Sequence, residues 1–179
     1  MQKYIAILRG VNVGGHNRVN MQRLREALAG KGLKDVQTYI QSGNIVFQTG
    51  MQGTSGPAKK IAGVLKTDFN VDVPVLVRSA SEWMRTVENN PFVRETDDHT
   101  KLLVTFLSEK PAAADVKSLS TQVFPHDDFR VVDADVYLFC RNGYGRTDIP
   151  NTFFEKHLRR TGTTRNWKSV LALAEMLQA

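Results

Sequence analysis

The sequence predicts an α+β protein that opens with a ferredoxin-like (βαββαβ) antiparallel-sheet unit, followed by a second small α+β unit. Three observations carry this. Strand-length apolar runs and helix-spaced apolar residues follow one another in the order strand–helix–strand–strand–helix–strand over roughly the first 80 residues. Turn-forming residues punctuate them. The chain has 179 residues, 41% of them hydrophobic and 23% charged, enough to bury a core without a metal or a disulfide. The single cysteine, Cys140, excludes an internal disulfide framework and a multi-cysteine zinc site.

Lys3–Leu8 is apolar almost throughout, as a central strand is. The loop Gly10–Val19 holds glycines at 10, 14 and 15, and Asn20 is placed to cap a helix carrying Met21, Leu24 and Leu28. Gly30 and Gly32 stop that helix. Val36–Ile40 is a second strand, Gln41–Asn44 a turn, and Ile45–Phe47 begins a third strand. Gln48–Pro57 reads as a loop, and Ile61, Val64, Leu65 and Phe69 mark one face of a helix. Val71–Val77 is the fourth strand, which Pro74 confines to an edge.

Ser79–Ser81 reads as a cap before a helix carrying Trp83, Met84 and Val87, which Asn89-Asn90-Pro91 ends. Leu102–Leu107 is a strand, and Pro111 opens a short helix through Leu119. Phe129–Val132 and Val136–Cys140 flank Asp133–Asp135 as a hairpin. A helix runs from Asn151 to Arg160, Thr161–Arg165 is a turn, and a last helix runs from Trp167 to Leu177. The expected subdomains are 1–79, ferredoxin-like, and 80–179, α+β and ending in two helices. No residue-level repeat connects them.

The net charge is +6 and the isoelectric point about 9.6, which raises the expectation of an anionic partner. Residues 1–80 hold 11 basic and 4 acidic groups, 81–135 hold 6 and 11, and 136–179 hold 7 and 3. Arg9 interrupts the opening apolar run far short of a signal peptide or a membrane span, and no later stretch reaches membrane length. The expected location is cytoplasmic.

A ferredoxin-like sheet has strand order 4-1-3-2, so the end of strand 1 lies beside the start of strand 3. Arg9–Asn17 and Gln41–Asn44 then share one rim. There Arg9, Asn12, Gly14, Gly15, Ser42, Gly43 and Asn44, with His16, Asn17, Arg18 and the helix start near Asn20, are candidates to hold an anion. The competing reading is packing, with Gly43 serving the hairpin and the other glycines a tight crossing. This loop is neither a phosphate-binding GxxxxGK[ST] loop nor a GxGxxG fingerprint. A second cluster, Arg141–Asp148, offers Tyr144 and Arg146 to stack a ring and meet an anion, unless the tyrosine folds onto the core. The third, Arg159–Lys168, is the densest positive charge. Its candidates are Arg160, Thr164, Arg165, Asn166, Trp167 and Lys168, with Trp167 read as core and Thr164 or Asn166 as a helix cap.

No catalytic constellation emerges, and a non-enzyme is favoured. Asp97-Asp98-His99 and His126-Asp127-Asp128 are explained as solvated loops, Cys140 as a buried thiol, and no cofactor is expected. The RNA-binding version of this fold puts aromatics on its middle strands. Here Tyr4 and Phe47 stand in an apolar setting that reads as core.

Several segments together resemble the DUF1697 family of bacterial proteins. They are Tyr4–Gly15, Thr38–Phe47, Asn89–Phe92, Asn142–Arg146 and Thr163–Trp167, in order and at the usual spacing. The resemblance implies an α+β fold with ferredoxin-like organisation. It implies no activity, because the family is named for unknown function and offers no established catalytic residues to carry over. Three readings of function follow. The favoured one is non-catalytic binding of a nucleic acid or of a phosphate- or carboxylate-bearing small molecule. The alternatives are a small-molecule enzyme with a pocket between the two halves and a protein-interaction scaffold.

Overall fold

The computed structural model describes residues 1–179 as two compact units: Met1–Arg85 with Ala172–Ala179, and Thr86–Leu171. The first begins with β1 (Gln2–Leu8), α1 (Met21–Gly30), β2 (Lys34–Tyr39) and β3 (Asn44–Thr49). It continues through α2 (Ser55–Phe69) and β4 (Val75–Ser79). All pairings are antiparallel and the sheet order is β2-β3-β1-β4, as the strand pattern predicts. Tyr4, Ala6 and Leu8 of β1, with Ile45 and Phe47 of β3, join Leu24 and Leu28 of α1 and Ile61, Val64 and Leu65 of α2 in one core. Ile5 and Ile7, on the other face of β1, are buried too, which accounts for a strand without polar alternation. The Asn20 side chain caps α1, accepting from the Arg23 N–H at 3.0 Å.

Several element boundaries differ from the sequence reading; the short helix expected from Pro111, for one, starts at Ala113, and the strand expected from Phe129 starts at Asp127. The second strand starts two residues early, at Lys34. The third continues through Thr49, and its helix begins at Ser55, so the loop expected over Gln48–Pro57 is shorter. The fourth strand starts at Val75, after Pro74. Pro74 therefore accepts, through its carbonyl, the Arg9 N–H at 3.1 Å instead of interrupting a ladder. β4 is nonetheless an edge. Next comes α3 (Ala80–Glu88), opened by a reciprocal capping box in which the Glu82 N–H donates to Ser79 Oγ and the Ser79 N–H to Glu82 Oε2.

The second unit contains β5 (Leu102–Leu107), α4 (Ala113–Leu119), β6 (Asp127–Val132) and β7 (Asp135–Cys140). After these come α5 (Asn151–Leu158) and β8 (Gly162–Asn166), and then α6 (Trp167–Gln178). The turn expected at Thr161–Arg165 is thus a strand, and the preceding helix stops at Leu158 instead of Arg160. β8 carries no apolar side chain, so hydrophobic periodicity has nothing to register. Its hold on the sheet is its ladder to β5 and a direct cross-strand pair, Thr105 Oγ1 to Thr164 Oγ1 at 2.7 Å.

With β8 in place, the second unit is βαββαβ as well, with sheet order β6-β7-β5-β8. The correspondence extends to single bonds. The last N–H of the central strand meets the hairpin in both units, Leu8 to the Gly43 carbonyl and Leu107 to the Ala134 carbonyl, each at 2.8 Å. The next N–H meets the residue leading into the fourth strand, Arg9 to Pro74 and Ser108 to Thr161. α2 and α5 both end on a left-handed residue, Asn70 and Arg159, each with φ 53°. The two frames are the same, and they differ in what joins the central strand to the first helix: residues 9–20 in one unit and 108–112 in the other.

Gly43 ties the first frame together. Its φ is +76°, and an added Cβ would lie 2.7 Å from the Leu8 Cβ. Gly32 has φ +87° with nothing near it. Gly32→Ala is expected to cost about 1 kcal/mol and Gly43→Ala about 2–4 kcal/mol in urea unfolding, the difference being the clash with Leu8.

Candidate functional site

The 9–20 connection is held by side-chain amides. Asn12, in the left-handed region at φ 56°, spends its whole carboxamide on backbone. Its Nδ2 donates to the Val19 carbonyl at 2.9 Å and to the Gln41 carbonyl at 2.8 Å, and its Oδ1 accepts from the Val19 N–H at 2.8 Å. Asn17 Nδ2 donates to the Gly10 carbonyl at 3.0 Å, and the Asn12 N–H to the Asn17 carbonyl at 3.2 Å. Across the rim, Asn44 Nδ2 donates to the Tyr39 carbonyl at 3.1 Å and to Ser42 Oγ at 2.9 Å. The topology therefore brings Arg9–Asn17 and Gln41–Asn44 together, while Asn12, Ser42, Gly43 and Asn44 act within the fold. Gly14 and Gly15 are exposed at the tip, where Val13 and His16 form an isolated bridge. Arg9 is half-buried.

Behind the loop lies a cleft of about 740 Å³. Asn12, Gly15, Arg18 and Val19 line one side, Asn20 and Arg23 the start of α1, and Thr67–Asn70 the end of α2. Arg18 is exposed and its guanidinium has no acidic partner. The Arg23 guanidinium lies over the Phe69 ring, 5.7 Å from its centroid. Asp68 also lines the cleft and accepts from Thr67 Oγ1 at 2.7 Å. The sequence reading placed Arg18 near this rim but missed Arg23 and the α2 end. The available signal was the helical spacing that turns Phe69 toward the α1 side, together with Asn70 as a left-handed stop.

Counted by compact unit, the charge divides differently from the way it does along the chain. Met1–Arg85 with Ala172–Ala179 holds twelve basic and six acidic residues; Thr86–Leu171 holds twelve of each. The whole net charge therefore belongs to the unit with the long connection.

The candidates of the second unit are more dispersed. Tyr144 is half-buried and packs on the unit's core, with Arg146 exposed beside it. Arg160 pairs with Glu109 at 3.2 Å and Arg159 with Asp115 at 3.8 Å. Thr164 Oγ1 contacts Thr105 and donates to Asn151 Oδ1 at 3.2 Å. Arg165 is buried, with Nη1 donating to Thr163 Oγ1 and the Thr164 carbonyl, and burial lowers its pKa to about 10. Asn166 caps α6, its Oδ1 accepting from the Ser169 N–H at 2.8 Å. Trp167 is 2% exposed, and Lys168 is exposed.

Asp98 accepts from the Thr100 N–H and hydroxyl in an exposed loop, as expected. Asp127 is not in a solvated loop: it opens β6, is buried, and accepts from Thr147 Oγ1 and the Asp148 N–H. Tyr4 and Phe47 stack on each other in the first core, with centroids 5.8 Å apart, so they present no aromatic platform. Cys140 is fully buried, and burial pushes its thiol up to about 11.

The chain belongs to the protein family of unknown function DUF1697, whose family model matches residues 1–137. Among solved structures it is similar to the conserved bacterial protein SP0830 from Streptococcus pneumoniae, at 23% identity and a TM-score of 0.79, covering 100% of this chain and 99% of that one. That likeness is one of fold. No curated protein matches the chain.

Two measurements test the site's construction. Asn12→Ala leaves the buried Val19 N–H without its acceptor. It is expected to cost about 2–3 kcal/mol in urea unfolding and to accelerate hydrogen exchange at Val19. The Cys140 thiol, raised from 9.0 to about 11, is expected to resist thiol reagents at pH 8 until the chain unfolds. Its contribution to stability is complete below pH 9 and is lost as pH rises toward about 11, since the unfolded chain deprotonates first.

Proposed function

We propose that this DUF1697 protein binds, without transforming it, a phosphate-bearing anion, a nucleic acid or a nucleotide-like ligand, in the cleft between residues 9–23 and the end of α2. The observation that carries the reading is Arg18, an exposed guanidinium that lines the cleft and is held in no ion pair, in the unit that holds all of the net charge. A free guanidinium offers planar, bidentate donors suited to phosphate, with no internal ion pair to break first. Arg23 adds a second cation, steadied by Phe69. The long connection supports the reading as well. Two equal frames need only residues 108–112 at the corresponding place, so the further residues of 9–20 serve something other than closing the sheet.

The test is equilibrium binding of ADP, pyrophosphate and a ~12-nucleotide strand at about 50 mM salt. Wild type is expected to bind at least one of them, with affinity falling steeply as salt rises. Arg18→Glu with Arg23→Glu is expected to remove about two phosphate contacts from the salt slope. Arg146→Glu with Lys168→Glu, in the other unit, leaves binding unchanged. Binding of none of the three ligands, or equal loss from both double variants, overturns the proposal.

A further inference from the structure

Ile40 occupies a backbone conformation that its side chain disfavours. Its φ is +49°, in the left-handed region, where a β-branched residue is a sterically costly choice and glycine or asparagine the easy one. The conformation is clamped from both sides. The carbonyl before Ile40, that of Tyr39, accepts from Asn44 Nδ2, and the carbonyl after it, that of Gln41, accepts from Asn12 Nδ2. Two asparagine amides thus hold an isoleucine in place, and the side chain so held is 52% exposed. Val13, next to Asn12, is 61% exposed at the bridged tip of the loop. The same rim therefore presents two apolar groups on fixed backbone, one on each side of the Asn12–Gln41 bond.

The second unit makes the corresponding link differently. There Lys110 of the 108–112 connection pairs with Asp133 of the hairpin at 2.9 Å, through two exposed charged side chains. Asp133 is left-handed like Ile40, with φ 52°, but is a residue type that tolerates it. The frame can close its rim with polar side chains, so the apolar pair of the first unit is not demanded by the fold.

Resting on the anion-binding reading above, we infer that the ligand is a single-stranded nucleic acid whose unstacked bases lie on Val13 and Ile40 while its phosphates meet Arg18 and Arg23. Charge complementarity selects this occupant: the apolar pair sits at the rim of the unit with the net positive charge, and Asn12 belongs both to the cleft and to the bond between the two apolar groups. A duplex hides its base faces; a flexible strand offers apolar faces and phosphates in alternation. Asn12 and Asn44 are positioning residues in this arrangement.

The experiment measures binding of a labelled ~12-nucleotide single strand, an abasic strand of equal length and charge, and a duplex. It compares wild type with Ile40→Asn, Ile40→Gly and Val13→Asn, all checked by urea unfolding. Asparagine and glycine accept the left-handed backbone, so the Ile40 variants are expected to be at least as stable as wild type. Wild type is expected to prefer the base-bearing strand to the abasic one by about tenfold, and each variant to lose about that preference while binding the abasic strand unchanged. Equal wild-type affinity for base-bearing and abasic strands, or for single strand and duplex, overturns the inference and leaves the anion reading standing. Unchanged variant affinity also overturns it and reassigns the apolar pair to a protein contact. If no strand, abasic included, binds at low salt, the strand proposal fails at the phosphate contacts; the ADP and pyrophosphate measurements then decide the anion reading separately.

Discussion

The Asn12 carboxamide satisfies three backbone groups at once: both polar groups of Val19 and the carbonyl of Gln41. A backbone excursion of this length leaves peptide groups without secondary-structure partners, and a short amide side chain in the left-handed region is one of the few devices that can serve several of them together. Arg18 hangs from the stretch pinned at Val19, Val13 follows Asn12 directly, and Ile40 precedes the carbonyl that Asn12 holds. The cleft wall, the exposed tip and the hairpin are therefore one mechanical object. Loosening that carboxamide would free all of them while leaving the sheet beneath intact.

That sheet is the more generic part. Each unit uses antiparallel pairing with the first strand in the centre, the same hairpin-to-strand closure and the same left-handed exit from its second helix. The cores filling the two frames differ, one built around Tyr4, Phe47 and aliphatic residues, the other around a cluster that includes Phe124, Phe129, Phe153 and Phe154. Identity of frame without identity of residues follows when packing asks only for apolar volume at given positions while the backbone geometry is set by hydrogen bonds. What is particular to the protein then resides in the connections, and the connections of the two units differ most between the central strand and the first helix.

Much of this was legible in the residues. Lys3–Leu8 and Leu102–Leu107 announce central strands because both faces are buried, and the strand order alone brings Arg9–Asn17 to Gln41–Asn44. β8 escaped because Gly162–Asn166 pairs through hydroxyls and backbone, and a polar strand has no apolar period. The basic run Arg159–Lys168 read as one patch because sequence counts charges without their partners. Folding spreads it: two arginines are paired with carboxylates, one is buried, and one lysine stays in solvent. The asparagines of the rim carried the opposite ambiguity, since an amide suited to a ligand is equally suited to a peptide group.

The first unit is discontinuous. Its last eight residues, Ala172–Ala179, lie beyond the whole of the second, and the Lys3 ammonium donates to the Leu177 carbonyl at 2.9 Å across 174 positions. During synthesis, the residues that open this unit emerge first, yet the segment completing it is made only after every residue of the other unit. The second unit is thus the first for which a complete chain exists. The rim and its cleft belong to a unit whose last segment, Ala172–Ala179, is made only after the other unit.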